Sequence, residues 1–253
     1  MDLPVNQFKR AIKSGKAQLG LWCSFPTYQT VEVVAGSGFD WLLLDMEHSP
    51  NDIGSLNAQL IAAQGGTASS IVRVQWNDMV MIKRVLDVGA QTILVPYVQT
   101  AEEAAQAVAY TRYPPEGLRG VASSTRAAGY GRIKDYLNKA NDEICVLVQA
   151  ETVKSLENLE AICKVDGVDG VFIGPNDLSS AMGHRGNIPH PEVQKTIADS
   201  IKRILVYGKA PGILVGEADG QRMLDLGALF VAVGADAGLL RTSSEALAAK
   251  FRR

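Results

Sequence analysis

No stretch of this chain reaches the roughly 18 consecutive apolar residues that a membrane helix needs, and its first residues, MDLPVNQFKRAIKSGK, hold no apolar core of a secretion signal. The expectation is a cytoplasmic protein with no membrane partner. An excess of one charge is missing too: 25 Lys and Arg stand against 27 Asp and Glu, interspersed, for a net charge of −2. Gripping a phosphate backbone requires a concentrated basic face, so nucleic acid is not an expected partner. Cysteine is scarce, and Cys23, Cys145 and Cys163 lie far apart. An odd, scattered set makes neither a zinc cluster nor a disulfide framework, and reads as buried thiols. Aromatic residues make up 6% of the chain, too few for a base-stacking platform. The dinucleotide signature G-x-G-x-x-G after the first strand and the phosphate loop G-x-x-x-x-G-K-[ST] are both absent, which weakens any nucleotide-binding reading.

What is present is repetition of a simple kind. Apolar runs rich in Val, Ile and Leu occur at 18–24, 39–47, 70–74, 92–98, 144–151, 170–174, 210–215 and 229–234, eight in number. They do not alternate with polar residues, as expected of parallel strands buried on both faces. Amphipathic segments at 52–64, 77–88, 101–111, 152–164, 191–207 and 217–226 lie between them, many opened by Asp, Asn or Thr at an N-cap position. Strand and helix in alternation mean βαβ units, and eight strands in 253 residues suit one (βα)8 TIM barrel, a single α/β domain over 1–253. The longest connection, 112–143, is rich in Gly, Ser and Arg and is expected at the active end of the barrel. Residues 236–252 form a last amphipathic helix with Leu239, Leu240, Leu247 and Phe251 as its apolar positions. It covers either its own barrel or a neighbour's.

Barrel enzymes build their sites at the C-terminal ends of the strands, so polar residues there carry the weight. Strand two ends in Asp45-Met46-Glu47-His48, strand three carries Arg73, strand five ends in Gln149-Ala150-Glu151, and strand six runs into Gly174-Pro175-Asn176-Asp177. Glu151 and Asp177, taken singly, read equally well as acids at the start of a helix or turn. Together on adjacent strand ends they suit an oxygen-rich site for a hard divalent cation holding a bidentate 2-oxo acid. His48 is a candidate general base near neutrality, with Asp45 or Glu47 as the carboxylate that orients it. Arg73 lies in an otherwise apolar strand and needs an anion, either a substrate oxygen or a strand-end acid. Gln149 is a donor to a substrate oxygen or a satisfied barrel amide, and the turn at Gly174 offers backbone N–H groups to a carboxylate. His184 and His190, in a Gly/Pro-rich loop, read as surface residues. No strand carries a lysine, since Lys83, Lys139, Lys164 and Lys209 fall in helices or at their ends, so a Schiff-base mechanism is disfavoured.

The segments DWLLLDMEHSPND, VRVQWND, LVPYVQTAEEA, TRYPPEGLRGV, VLVQAET, GVDGVFIGPNDLS and GALFVAVG, spread in order over residues 7–252, resemble the HpcH/HpaI family of class II, metal-dependent pyruvate aldolases. The resemblance implies a phosphoenolpyruvate/pyruvate-like (βα)8 barrel assembled as a homohexamer, a trimer of dimers that exchange the C-terminal helix 236–252. It implies Glu151 and Asp177 as ligands of Mg2+, Mn2+ or Co2+, His48 as catalytic histidine with Asp45 as its partner, and Arg73 as the substrate arginine. It further implies Gln149 and Gly174 beside the oxo acid, the backbone amides of Asn176 and Asp177 against its carboxylate, and Trp22 and Leu214 on the pocket wall. The chain departs from many members at Gln75, Ala122, Asn176 and the stretch LVGEADG, where choice of aldehyde is set.

The expected reaction is reversible aldol cleavage of a 4-hydroxy-2-oxo acid to an aldehyde and pyruvate, or a close 2-oxo acid such as hydroxypyruvate. The alternatives are a malyl or citramalyl thioester lyase on the same fold, which wants a cationic site for the coenzyme's phosphates, and a non-catalytic barrel that only binds the oxo acid. Retention of both His48 and Asp45 speaks against the last.

Overall fold

The computed structural model describes residues 1–252. The chain opens with α1 (Gln7–Lys13), β1 (Gln18–Cys23), α2 (Tyr28–Ala35), β2 (Trp41–Asp45) and α3 (Ile53–Ala62). Next come β3 (Ser69–Arg73), α4 (Met79–Asp87), β4 (Thr92–Val95), α5 (Ala101–Thr111) and α6 (Tyr136–Glu143). They are followed by β5 (Cys145–Ala150), α7 (Val153–Glu157), α8 (Leu159–Cys163), β6 (Val168–Ile173) and α9 (Pro175–Ala181). The chain ends with α10 (Pro191–Val206), β7 (Ala210–Leu214), α11 (Glu217–Asp225), β8 (Phe230–Ala235) and α12 (Asp236–Ala249). Among the described residues the eight strands run parallel in sequence order and close on themselves, β8 pairing with β1. This is the (βα)8 barrel that the alternation predicts, but the 112–143 connection leads from α5 into β5 and so lies at the N-terminal ends of the strands beside α1, not at the expected active end. No described helix is long and apolar enough to cross a membrane.

Local chemistry explains the boundaries. Asp52, Asp78, Thr100 and Thr152 each accept a backbone N–H at a helix start, three of them in reciprocal capping boxes with Ser55, Glu103 and Ser155. The segment 152–164 is two short helices rather than one, because Asn158 leaves the helix to donate from Nδ2 to the Gln99 carbonyl at 2.9 Å. The stretch after Gly174, expected as a turn, is the helix α9 with Pro175 at its first position. Strand two stops at Asp45, so Glu47 and His48 lie on the loop above it. The C-terminal helix ends at Ala249 and not at 252.

Two apolar masses hold the barrel. One lies between strands and helices and includes Leu42, Leu44, Val72, Ile93, Val148 and Val171. The other fills the lumen with Trp41, Leu43, Ile71, Leu94, Leu147, Phe172 and Phe230, joined by Phe8 of α1 from below. Phe8 meets the rings of Trp41 and Phe230 edge-on at 6.2 and 5.8 Å, which closes the floor. Such a filling demands absence of side chain nearby: a Cβ on Gly20 would lie 2.1 Å from the Trp41 ring. Cys23, Cys145 and Cys163 are buried and unpaired, as read from the sequence.

Candidate active site

Side chains alternate across a strand, so the lumen residues Leu43, Ile71 and Leu147 put the residues two steps on, Asp45, Arg73 and Gln149, into the lumen at its C-terminal end. The register of β2 on β3 sets Asp45 directly beside Arg73. The guanidinium grips Asp45 with two bonds, Nε to Oδ1 at 2.8 Å and Nη2 to Oδ2 at 2.6 Å, while Nη1 lies 2.8 Å from Glu47 Oε2. Trp22 Nε1 donates to Asp45 Oδ2 at 3.2 Å, and the Trp22 ring faces the guanidinium carbon at 4.8 Å. Burial pushes the Asp45 carboxyl upward, but the hydrogen bonds and charge of Arg73 outweigh it and hold the acid below its usual range. Arg73 therefore finds its anions in the strand-end acid Asp45 and in Glu47 on the loop above it.

That arrangement departs from the expected His48–Asp45 pair. Asp45 is occupied by Arg73, and the carboxylate near His48 is Glu47, with Oε1 3.9 Å from Nε2. The reason is geometric: β2 ends at Asp45, which faces inward, whereas the His48 side chain stands 66% exposed on the loop beyond. Glu47 bridges the two, facing Arg73 on one side and His48 on the other. Its pKa is raised by burial, against the lowering effect of Arg73 and His48, with the charges of Asp45 and Asp177 adding to the rise.

Glu151, just past β5, is 2% exposed. Its Oε1 accepts the Tyr97 backbone N–H at 2.9 Å and its Oε2 accepts from Gln149 Nε2. Burial raises its pKa to about 7; the Gln149 hydrogen bond opposes this, and the charges of Asp177 and Glu47 reinforce it. No lysine, arginine or histidine pairs with Glu151 among the described residues. Beside it, Gln149 Oε1 is buried without a partner. Gly174 is required here, since a Cβ would sit 2.5 Å from Glu151 Oε2. Asn176 and Asp177 follow in the first turn of α9, exposed at the mouth. Leu214 at the end of β7 packs partly buried against the lumen cluster that contains Trp22.

Sequence reasoning singled out the polar ends of β2, β3, β5 and β6 but missed three supports. Tyr97, at φ 57°, turns its N–H toward Glu151, and any residue's N–H would look the same in a sequence. Asn51 Nδ2 holds the Asp45 carbonyl at 2.8 Å. Asp236 is buried at the start of α12 and accepts the backbone N–H groups of Ser24 and Phe25 at 2.9 and 3.1 Å, pinning the loop after β1.

The HpcH/HpaI aldolase/citrate lyase family matches residues 18–243. A curated relative, 4-hydroxy-2-oxo-heptane-1,7-dioate aldolase from Klebsiella pneumoniae, is 56% identical over 97% of this chain and 94% of its own. Among solved structures, an HpcH/HpaI aldolase/citrate lyase family protein from Burkholderia cenocepacia superposes with a TM-score of 0.94 at 36% identity, covering 98% of this chain and 100% of that one. The citrate synthase SbnG superposes at 0.85 with 28% identity over 96% of each chain. With its closed eight-stranded barrel and these relatives, the chain belongs to the HpcH/HpaI aldolase/citrate lyase family.

Proposed function

We propose that the chain carries out reversible aldol cleavage of 4-hydroxy-2-oxo-heptane-1,7-dioate or a close 4-hydroxy-2-oxo acid, with Glu151 and Asp177 holding a divalent cation. The chain is a carbon–carbon lyase of the pyruvate aldolase class. The observation that carries the metal assignment is Glu151 itself: a buried carboxylate with no cationic side chain, facing two further acids and an orphaned amide oxygen, supplies an oxygen donor set that suits Mg2+, Mn2+ or Co2+. Bound there, such a cation supplies Lewis-acid stabilisation of the negative charge that develops on the 2-oxo acid.

The chain's own residues do the rest. The first-turn amides of α9, at Asn176 and Asp177, have no intrahelical partners and receive the substrate's C1 carboxylate. Gln149 orients the 2-oxo group, and Trp22 and Leu214 exclude water from its far side. Arg73, fixed by Asp45 and Glu47, presents a rigid guanidinium to the developing enolate oxygen. His48 takes the proton from the C4 hydroxyl as the C3–C4 bond breaks, and the aldehyde departs. Return of that proton from the His48 imidazolium to C3, directly or through a water, then gives pyruvate and restores the base. Glu47 stabilises the protonated imidazole. In the synthetic direction the same groups act in reverse order.

The working unit in this reading is one domain that self-associates in the cytoplasm as a homohexamer, a trimer of dimers. Leu239, Leu240, Leu247 and Phe251 of the C-terminal segment are all exposed in the single chain, and α12 packs mainly on β1 and β8, which suits its exchange onto a neighbour. Pyruvate release from a panel of 4-hydroxy-2-oxo acids, with and without EDTA, tests the function. Cleavage that stops in EDTA and returns with Mg2+, Mn2+ or Co2+ is expected. Full turnover in EDTA would refute the metal assignment, and absence of pyruvate from every member of the panel would refute the reaction.

A further inference from the structure

Away from the barrel mouth, the loop joining α9 to α10 gathers three side chains of ligand type. His184, His190 and Glu192 place their nearest ring nitrogens and carboxylate oxygen within 4.8 Å of one another. His184 Nε2 is 2.9 Å from Glu192 Oε2, and the two imidazoles stack with centroids 3.6 Å apart. Neither histidine belongs to the site around Glu151.

The backbone holds these residues in place. His184 N–H donates to the Ser179 carbonyl at 2.7 Å, Asn187 N–H to His184 at 2.9 Å, and His190 N–H to Asn187 at 3.0 Å. Gln194 Nε2 then reaches back to the Ile188 carbonyl at 2.9 Å. Little ordering is left to oppose a ligand, because the loop is already folded around it. Two imidazoles and one carboxylate form a mixed nitrogen and oxygen set, with room for water in a fourth position, which is the donor set of zinc and its neighbours.

We propose that His184, His190 and Glu192 form a second metal site, selective for borderline transition ions such as Zn2+ and Ni2+, that clamps the 183–190 loop to the start of α10. Ligation requires the stacked rings to swing apart. Both are half-buried surface side chains, so that rotation displaces no core residue. His190 also releases its cap contact, in which Glu192 N–H approaches Nδ1 at 3.3 Å, long for a hydrogen bond and so cheaply lost. The all-oxygen pair at Glu151 and Asp177 prefers hard ions, whereas this cluster has little affinity for Mg2+. The two sites are thus separable by choice of metal.

Calorimetric titration of tag-free, EDTA-stripped full chain with Zn2+ and with Mg2+ tests the site. Wild type is expected to bind two Zn2+ but one Mg2+ per chain, and the double variant His184→Ala/His190→Ala one of each. Its unchanged Mg2+ binding and circular dichroism show that the variant is folded. In Asp177→Asn the remaining Zn2+ is expected to vanish when the two histidines are also replaced. If the mouth carboxylates bind no ion, wild type takes one Zn2+ and no Mg2+, and loss of that Zn2+ in the double variant still supports the second site. A Zn2+ count that is the same in wild type and in the double variant, whether one or two, overturns it.

Discussion

Replacing Glu151 with Gln should strengthen the metal-free protein while destroying its activity. The carboxyl moves from an ordinary 4.5 to about 7 on folding, with burial the main cause. An acid whose pKa rises on folding costs nothing below its unfolded value, and its cost grows as the pH climbs from 4.5 to 7 and stays constant above. The gap is about 2.5 pH units at about 1.4 kcal/mol each, so the full cost is about 3 kcal/mol at pH 8 but only about 1 kcal/mol at pH 5. Gln keeps the volume and the capacity to accept from Tyr97 while carrying no charge. Urea unfolding of EDTA-stripped wild type and Glu151→Gln at equal chain concentration, at both pH values, reads the difference directly. The variant should be more stable at pH 8 by about 3 kcal/mol, with most of that advantage gone at pH 5. Saturating Mg2+ should raise wild type by about 2.7 kcal/mol at a hundred times its Kd and leave the variant unmoved. Equal gaps at the two pH values, or a variant weaker than wild type at pH 8, would refute the reasoning.

Further perturbations address the neighbours. Asp45→Asn removes the bidentate partner of a buried guanidinium and should cost toward the low end of about 3–5 kcal/mol, because Glu47 still faces Arg73. Since the Asp45 pKa is lowered on folding, that penalty should be present at neutral pH and fade in denaturation curves as the pH falls below 3.8. His48→Gln should leave the unfolding free energy within about 0.5 kcal/mol, its side chain being largely exposed, while cleavage drops by about 10²–10⁴-fold in a pyruvate-release assay. Gly20→Ala should cost about 1–3 kcal/mol in thermal unfolding from overpacking against Trp41 alone, with residual activity retained in whatever remains folded.

The barrel was legible because burial on both faces leaves a chemical mark: runs such as WLLLD and CVLVQA have no polar side to display. Capping residues marked the helix starts for a similar reason, since Asp52, Asp78, Thr100 and Thr152 satisfy donors that every helix exposes. The strand-end acids followed from the fold. What stayed hidden depends on register and on main chain. Whether Asp45 meets His48 or Arg73 is decided by where β2 ends and how it sits on β3, and adjacency in sequence misleads there. The support that Tyr97 gives Glu151 comes from a backbone group common to nearly every residue. His184 and Glu192 are eight positions apart, and only the return of the chain into α10 brings them together.

The aromatic floor has a kinetic meaning. With Phe8, Trp41 and Phe230 sealing the lower end, the barrel is a vessel with one opening, and everything that reacts must pass the same rim. Whatever sits against Gln149 and Arg73 lies beneath whatever occupies the mouth. On the proposed placement of the oxo acid, it should enter first and depart last, with the aldehyde following it in and preceding it out, an order that product-inhibition kinetics would check.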